Sequence, residues 1–431
     1  MLNLAEYRQK GSRLADYLPW VALMGPGIVL NKDGSLQRSA GFRGPDLDSS
    51  TEAELMATAA RLNSALKRLG TGWALFVEAQ RVPSRSYPES GFPDPVSALI
   101  DEERRAHFEA EGTHFESAYF ITFAWMPPAD DQSRAGRWFT EGDASQSVQP
   151  GDHIENFIGR TDRVLDLLDG FMPEASWLSD DETLSYLHST VSSKRQRIRS
   201  PETPMYLDAL LVDEPLVGGL APTLGDHHLS TLSVTGFPAA TWPGILDELN
   251  ALSFPYRWVT RAICLDKSDA TRVFARIRRQ WFAKRKSIAA ILKEVMTNEA
   301  SVLLDGDATN KAADADAALQ ELGEDMFGAA YVTATITVSD LSPRKAEEHL
   351  KAVEKVIQSR DFTVILETLN SVEAWLGSLP GHLYANVRQP PVSTLNLAHM
   401  IPLSSVWAGP AWNNHLNAPP LLMARTDGST P

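Results

Sequence analysis

An α+β fold is predicted, with two mixed units containing hairpins, a helical-hairpin insertion in the second unit and a proline-rich C-terminal connector. Three observations carry the prediction. Strand-like apolar runs alternate with segments of helical periodicity. An Asp33-Gly34 pair stands between two such runs, the chemistry of a tight hairpin turn. The order strand, strand, helix, strand, helix, strand occurs once before residue 126 and again after residue 205.

The first unit, residues 1–126, opens with strand-like runs at 21–30 and 35–42 around Asn31-Lys32-Asp33-Gly34. A helix over 52–69 follows, because Leu55, Ala59, Leu62, Leu66 and Leu69 recur at steps of three and four, with Ser50 or Thr51 as N-cap and Gly70 as stop. WALFVEAQ (73–80) reads as a strand, residues 95–112 as a charged helix opened by Pro95, and SAYFITFAW (117–125) as a buried strand. Residues 127–204 form a polar excursion and linking helices at 153–170 and 181–193, ending in the basic stretch SKRQRIRSPETP (193–204).

The second unit, 205–386, repeats the order. Strands are expected at 206–212 and 228–236, a helix at 242–251, and a strand at YRWVTRAICL (256–265). A helical insertion over 268–323, the strand YVTATITV (331–338), a helix at 343–359 and a strand at 362–366 complete it. The two units read as a structural duplication, although they share few identical residues. Residues 387–431 carry Pro390, Pro391, Pro402, Pro410, Pro419 and Pro420 and read as an extended connector, since each proline removes a backbone donor and fixes φ. Trp407 and Trp412 within it suit a ribbon packed along a surface.

At 431 residues the chain is long enough for two or three cores. No apolar run approaches the length of a membrane span; VALMGPGIVL (21–30) is the nearest and is broken by Gly-Pro-Gly. The N-terminus carries no signal-peptide pattern, so a cytoplasmic protein is expected. Cys264 is the single cysteine, which excludes an internal disulfide. A net charge of −15 argues against a surface that wraps nucleic acid over its whole extent.

The chemical motifs are sparse. Gly-Lys occurs nowhere, so the GxxxxGK[ST] loop that cradles phosphates is missing, and MGPG (24–27) and VGGLAPTLG (217–225) read as turns. Asp226-His227-His228 offers metal-ligand types, but neighbours on a strand point to opposite faces; Glu347-Glu348-His349 diverge on a helix. No GxSxG elbow is present, and Cys264 lies mid-strand, where a small buried thiol is expected. Catalytic, cofactor and metal residues are therefore assigned to none of these positions.

The most distinctive polar feature is TRVFARIRRQWFAKRK (271–286), with seven basic residues and no acid. Helical spacing gathers Val273, Phe274, Ile277 and Trp281 on one face and Arg272, Arg276, Arg279 and Lys286 opposite. A solvated outer face is one reading. A docking face for anionic lipid, an acidic partner or nucleic acid is the other.

Several segments carry a family resemblance: DGSLQRSAGFRGPDLDS (33–49), LNSALKRLGTGWALFVEAQR (62–81), FPYRWVTRAICLDK (254–267), RRQWFAKRKS (278–287) and, above all, EAWLGSLPGHLYANVRQPPVSTLNLAHMIPLSSVWAGP (373–410) with NAPPLLMARTDGSTP (417–431). The chain resembles the N-terminal domain of TrbE-type conjugal transfer ATPases of the VirB family of type IV secretion motors. The resemblance implies a platform for the motor, truncated before the P-loop, with ATP and Mg2+ belonging only to the missing RecA-like domain. It also implies a peripheral position at the inner face of the bacterial inner membrane. The partners implied are inner-membrane type IV secretion subunits, the protein's own C-terminal ATPase domain and further copies in a homo-oligomer. Arg272, Arg276, Arg279, Lys286, Trp407 and Trp412 are the expected partner-binding residues, and the arm from Val387 to Pro431 is expected to be the most protease-sensitive stretch. The alternative is a stand-alone nucleic-acid-binding module, although DNA contact is not indicated by the charge.

Overall fold

The computed structural model describes residues 13–127, 150–284, 316–404, 409–420 and 430, apart from single positions and pairs within these ranges. The excursion at 128–149 and most of the helical insertion, 285–315, lie outside the described residues.

The described residues begin with a single helical turn, α1 (Leu14–Tyr17), and a hairpin, β1 (Trp20–Gly25) and β2 (Ile28–Asn31). The expected single strand at 21–30 is thus two, because Gly27 adopts φ +66° and reverses the chain between them. A second reversal at 31–35 leads to β3 (Leu36–Arg43), and α2 (Glu52–Leu66) follows. Thr51 caps α2: its hydroxyl accepts from the Glu54 N–H, and the Glu54 carboxylate accepts from the Thr51 N–H. Then come β4 (Trp73–Pro83), α3 (Pro95–Ala110), β5 (Phe115–Trp125), α4 (Pro150–Asp169), β6 (Glu174–Trp177) and α5 (Asp180–Val191).

Residues 206–212 form no strand. They carry the short helix α6 (Leu207–Leu210), because Leu207 and Leu211, four apart, are both buried. The second half continues with β7 (Leu216–Val217), β8 (Thr223–Leu224) and β9 (His227–Gly236). In place of a helix over 242–251 the chain turns at Pro243-Gly244 and closes in a 3-10 turn, Asp247–Ala251. Then follow β10 (Tyr256–Leu265), α7 (Lys267–Lys284), β11 (Ala329–Asp340), α8 (Pro343–Gln358), β12 (Thr363–Leu366) and α9 (Ser371–Leu376).

The strands make one antiparallel sheet in the order β1-β2-β3-β5-β4-β10-β11-β9-β8-β7, with β6 on β3 and β12 on β9. Taking β3, β4, β5 and β6 as first to fourth, the spatial order is fourth, first, third, second. β9, β10, β11 and β12 give the same order, the split β-α-β arrangement. A hairpin precedes each set, and an α-helix joins the second strand to the third in both. The duplication read from the sequence is therefore visible in topology. The two sets meet second strand to second strand, β4 against β10, from Arg81↔Tyr256 to Ala74↔Ile263.

One face of the sheet carries the main core. Trp73, Leu75 and Val77 of β4, Ile121 and Phe123 of β5, Trp258 of β10 and Val332 and Ile336 of β11 pack there beneath α2, α4 and α8. The other face is buried too, under α5, α6, α9 and the chain that follows, around Trp20, Leu184, Leu187, Val191, Leu207 and Trp375.

The C-terminal segment departs from an extended ribbon. Pro391–Ser393 (β13) pairs with β11, and Thr394–Met400 (α10) packs on α2, with Leu397, Ala398, Met400, Ile401 and Leu403 in the main core. The stretch between Pro391 and Pro402 is free of proline, so one short helix fits between them. Asn63 of α2 accepts from the Thr394 hydroxyl at 2.5 Å.

Candidate functional site

The basic helix divides as its periodicity requires. Ala270 and Phe274 are buried against Leu322, Phe327 and Ala329, with Ile277 half-buried beside them. Arg272, Arg276 and Arg279 are exposed on the other side. Arg272 pairs with Asp269 on its own helix, and Arg279 Nε donates to the Ala275 carbonyl at 3.3 Å. The root of α7 is anchored: Thr71 donates to Asp269 at 2.7 Å, and Lys267 Nζ lies 2.8 Å from Asp325 Oδ1. Trp412 is 48% exposed in a terminal turn closed by the Asn413↔Ala418 bridge. Lys286 and Trp407 lie outside the described residues.

A second polar site, at the β4·β10 seam, escaped the sequence reading. On the face away from the main core, Glu78 is fully buried. Its carboxylate accepts from Arg257 Nε at 2.6 Å, the Tyr186 hydroxyl at 2.9 Å and Gln80 Nε2 at 2.8 Å. Burial and the Glu78 charge hold the Tyr186 phenol well above its ordinary pKa. Gln80 in turn accepts from Arg195 Nη1 at 2.8 Å. Above this network opens a cavity of about 870 Å3, walled by Phe120, Tyr186, Ser185 and Ser189 and rimmed by Arg195, Arg197 and Arg199. The signal was present in the strands: Glu78 and Gln80 in WALFVEAQ, and Arg257 and Arg261 in YRWVTRAICL, are ionic or polar groups at alternate positions of otherwise apolar runs.

The same face holds the C-terminal chain. Arg261, 1% exposed, donates to the carbonyls of His382 (3.1 Å), Ala385 (2.8 Å) and Asn386 (3.2 Å) and to the Thr333 hydroxyl (3.2 Å). Burial pulls its guanidinium down to about 10. Arg388 donates two hydrogen bonds to Glu367, at 2.5 and 3.0 Å, the paired geometry that a guanidinium and a carboxylate favour. Trp20 Nε1 donates to the Pro380 carbonyl at 2.8 Å. Pro380, His382, Ala385, Asn386 and Arg388 are thereby fastened to both halves of the sheet.

The remaining groups of reactive type have structural surroundings. Cys264 is buried in β10, and burial pushes its thiol up to about 12, which leaves it almost wholly protonated near neutral pH. His349 stacks on Phe254 at 4.2 Å, while Glu347 and Glu348 pair with Lys351 and Arg344 along α8. Among the described residues no group of three His, Cys, Asp or Glu side chains is placed to hold a metal ion. The arrangement holds and presents surfaces: a basic row on an anchored helix, and a polar seam with a basic rim.

Comparison with known proteins agrees with the sequence reading. Residues 27–133 match the N-terminal domain of the type IV secretion system ATPase VirB4/TrbE, and residues 174–388 match the CagE, TrbE, VirB family, component of the type IV transporter system. The chain is 35% identical over 451 aligned residues to conjugal transfer protein TrbE of Rhizobium radiobacter, covering 100% of this chain and 54% of that protein. Type IV secretion system protein virB4 of Bartonella henselae is 20% identical over 406 residues, with 90% of this chain and 49% of the relative covered. The virB4 protein of Bartonella quintana is 21% identical over 429 residues, with 96% of this chain and 52% of the relative covered. The chain spans about half the length of these relatives. It belongs to the CagE, TrbE, VirB family of type IV transporter components.

Proposed function

We propose that the chain is the N-terminal platform of a TrbE-like ATPase in a conjugative type IV secretion system, peripheral at the cytoplasmic face of the inner membrane. In this reading it docks inner-membrane subunits and neighbouring copies and carries a motor domain through its C-terminal segment. ATP and Mg2+ binding are assigned to the remaining length of the relatives, because these residues contain no Gly-Lys and hence no P-loop. The observation that carries the reading is the 35% identity to a TrbE protein along the whole chain. Two structural features support it. The segment leading to the C-terminus is bonded across the sheet, so a force applied there reaches the whole body. No described helix is long and apolar enough to cross a membrane, so attachment to the membrane would run through partners or lipid headgroups.

The test is to tag the chain in cells that carry a complete conjugation system and to purify it from detergent-solubilised membranes. Inner-membrane transfer subunits are expected in the eluate. An eluate free of every transfer subunit overturns the reading.

A further inference from the structure

The two halves of the sheet insert a helix at the same topological place, between second and third strand, and the two helices differ in character. α3 leaves the end of β4 and returns at Phe115, whose partner is Pro83. α7 leaves the end of β10 at Leu265, whose partner is Ala329 at the start of β11. β4 and β10 run antiparallel, so these ends lie at opposite ends of the seam. With Arg81↔Tyr256 near one and Ala74↔Ile263 near the other, the roots of the two helices are roughly 25 Å apart at strand rise. Within one chain both outer faces are exposed, so neither helix covers the other.

Each helix has one face that the body uses and one that it leaves to water. α3 turns Asp101 and Phe108 inward: Tyr87 donates to Asp101 at 2.9 Å, and its ring packs edge-on against Phe108. Its outer face carries Val96 (64% exposed), Leu99 (64%), Ile100 (51%), Glu103 and His107, with the exposed Glu102 and Glu109 along one flank and the exposed Arg104 along the other. Three large apolar side chains this open on one short stretch are unusual for a surface that stays in water. On α7 the outer face carries Arg272, Arg276 and Arg279. Val96, Leu99, Ile100 and Glu103 follow steps of three, four and seven; so do Arg272, Arg276 and Arg279, at four and seven. Both faces therefore extend about 10 Å along their helices.

We propose that the outer face of α3 is the docking site for the outer face of α7 of a second copy of this chain. The inference rests on the self-assembly aspect of the function proposed above and names the surfaces. Arginine stems lie over Val96, Leu99 and Ile100, covering apolar surface with methylene groups, while the guanidinium groups reach Glu103 and the flanking Glu102. Because α3 and α7 are different surfaces, the contact is head to tail: every copy offers one of each, and successive copies close a ring or extend a filament. A single pair of helices buries less area than a stable dimer interface, so the isolated chain associates weakly and reversibly and loses association with salt.

The test is sedimentation of the full chain over a concentration series up to about 100 µM, a range that reports weak interfaces. Average mass is expected to rise with concentration. Two variants each break one face: Leu99→Asp with Ile100→Asp, and Arg276→Glu with Arg279→Glu. Both change exposed residues, and circular dichroism confirms that each is folded. Each variant alone is expected to associate at least about tenfold more weakly, the scale of losing one good contact. An equimolar mixture of the two is expected to give a one-to-one dimer that grows no further, since only one intact α3 face and one intact α7 face remain. A chain that stays monomeric throughout overturns the proposal. Undiminished association of both variants overturns the α3–α7 pairing while leaving self-assembly by another surface standing, and membrane-subunit co-purification is read separately.

Discussion

Glu78 of β4 and Arg257 of β10 sit diagonally across the seam, Glu78 opposite Val259 and Arg257 opposite Gln80, and close an ion pair of 2.6 Å with the carboxylate entirely out of water. Such a pair contributes little net stability beyond an apolar replacement, but half of it is costly, because the remaining charge stays buried alone. Glu78→Ala is expected to destabilise the chain by about 3–5 kcal/mol in urea unfolding. Glu78→Gln, which keeps an acceptor for Tyr186, is expected to cost less, and Glu78→Gln with Arg257→Met less than either extreme implies by addition. An additive double variant would show that the two side chains do not act as a pair.

Gly44 tests how closely the C-terminal chain crosses the first half. A Cβ at this position would lie 1.5 Å from the Leu403 carbonyl oxygen, inside any permitted contact, so the backbone there must move. Gly44→Ala is expected to lower stability by about 2–4 kcal/mol, at the upper end of overpacking costs. Gly159→Ala serves as control: nothing lies within 4 Å of its Cβ, it sits inside α4, and alanine there is expected to be neutral or to stabilise by up to about 1 kcal/mol. Equal melting temperatures for the two variants would refute the close crossing.

Limited trypsin digestion distinguishes a loose arm from a seated one. Arg388 is bonded to Glu367, and β13 and α10 follow within the core, so the bond after Arg388 is expected to survive until global unfolding. Glu367→Ala removes the carboxylate that holds Arg388 and is expected to make cleavage there the earliest event in the gel. Rapid cleavage after Arg388 in the unaltered chain would restore the reading of this segment as an exposed connector.

His382 gives the chain an acid sensitivity with a defined sign. Burial and the neighbouring Arg261 charge hold its pKa down to about 4, against an ordinary 6.5. The unfolded chain therefore binds a proton that the folded chain refuses between these values. The stability from this group is complete above pH 6.5, falls as pH drops towards 4, and is constant below that. His382→Asn is expected to flatten the melting-temperature profile over that window; an unchanged slope would place the effect elsewhere.

Much of the fold was legible in the sequence because the main core obeys simple periodicities. A cap at Ser50 or Thr51 with its leucine repeat marked α2, and WALFVEAQ and YRWVTRAICL marked the two seam strands. The second face was not legible, because polar residues at alternate positions of a strand ordinarily mean water. Here Glu78, Arg257 and Arg261 face instead a layer made by α5 and by residues 376–386, whose hydrogen-bond partners come from 67 to 125 residues away. Short apolar runs misled at both 21–30 and 206–212, where length cannot separate strand, hairpin and helical turn. Of the expected docking residues, the row Arg272, Arg276 and Arg279 was readable from spacing alone. The apolar outer face of α3 was not, since Val96, Leu99 and Ile100 have the spacing of a core-facing helix and only the fold shows that they point away.

The seam has a further consequence. Cut apart, each half would end in a bare strand, β4 or β10, with a full row of backbone donors and acceptors unsatisfied. The edge that matches it in this chain is that of the other half. The chain is in this sense a pair of binding partners carried on one tether, residues 192–206 between α5 and α6, whose length sets the concentration at which the partners meet. Lengthening that tether should weaken their union only slowly, whereas a proline in β4 or β10 that interrupts the shared ladder should separate them at once.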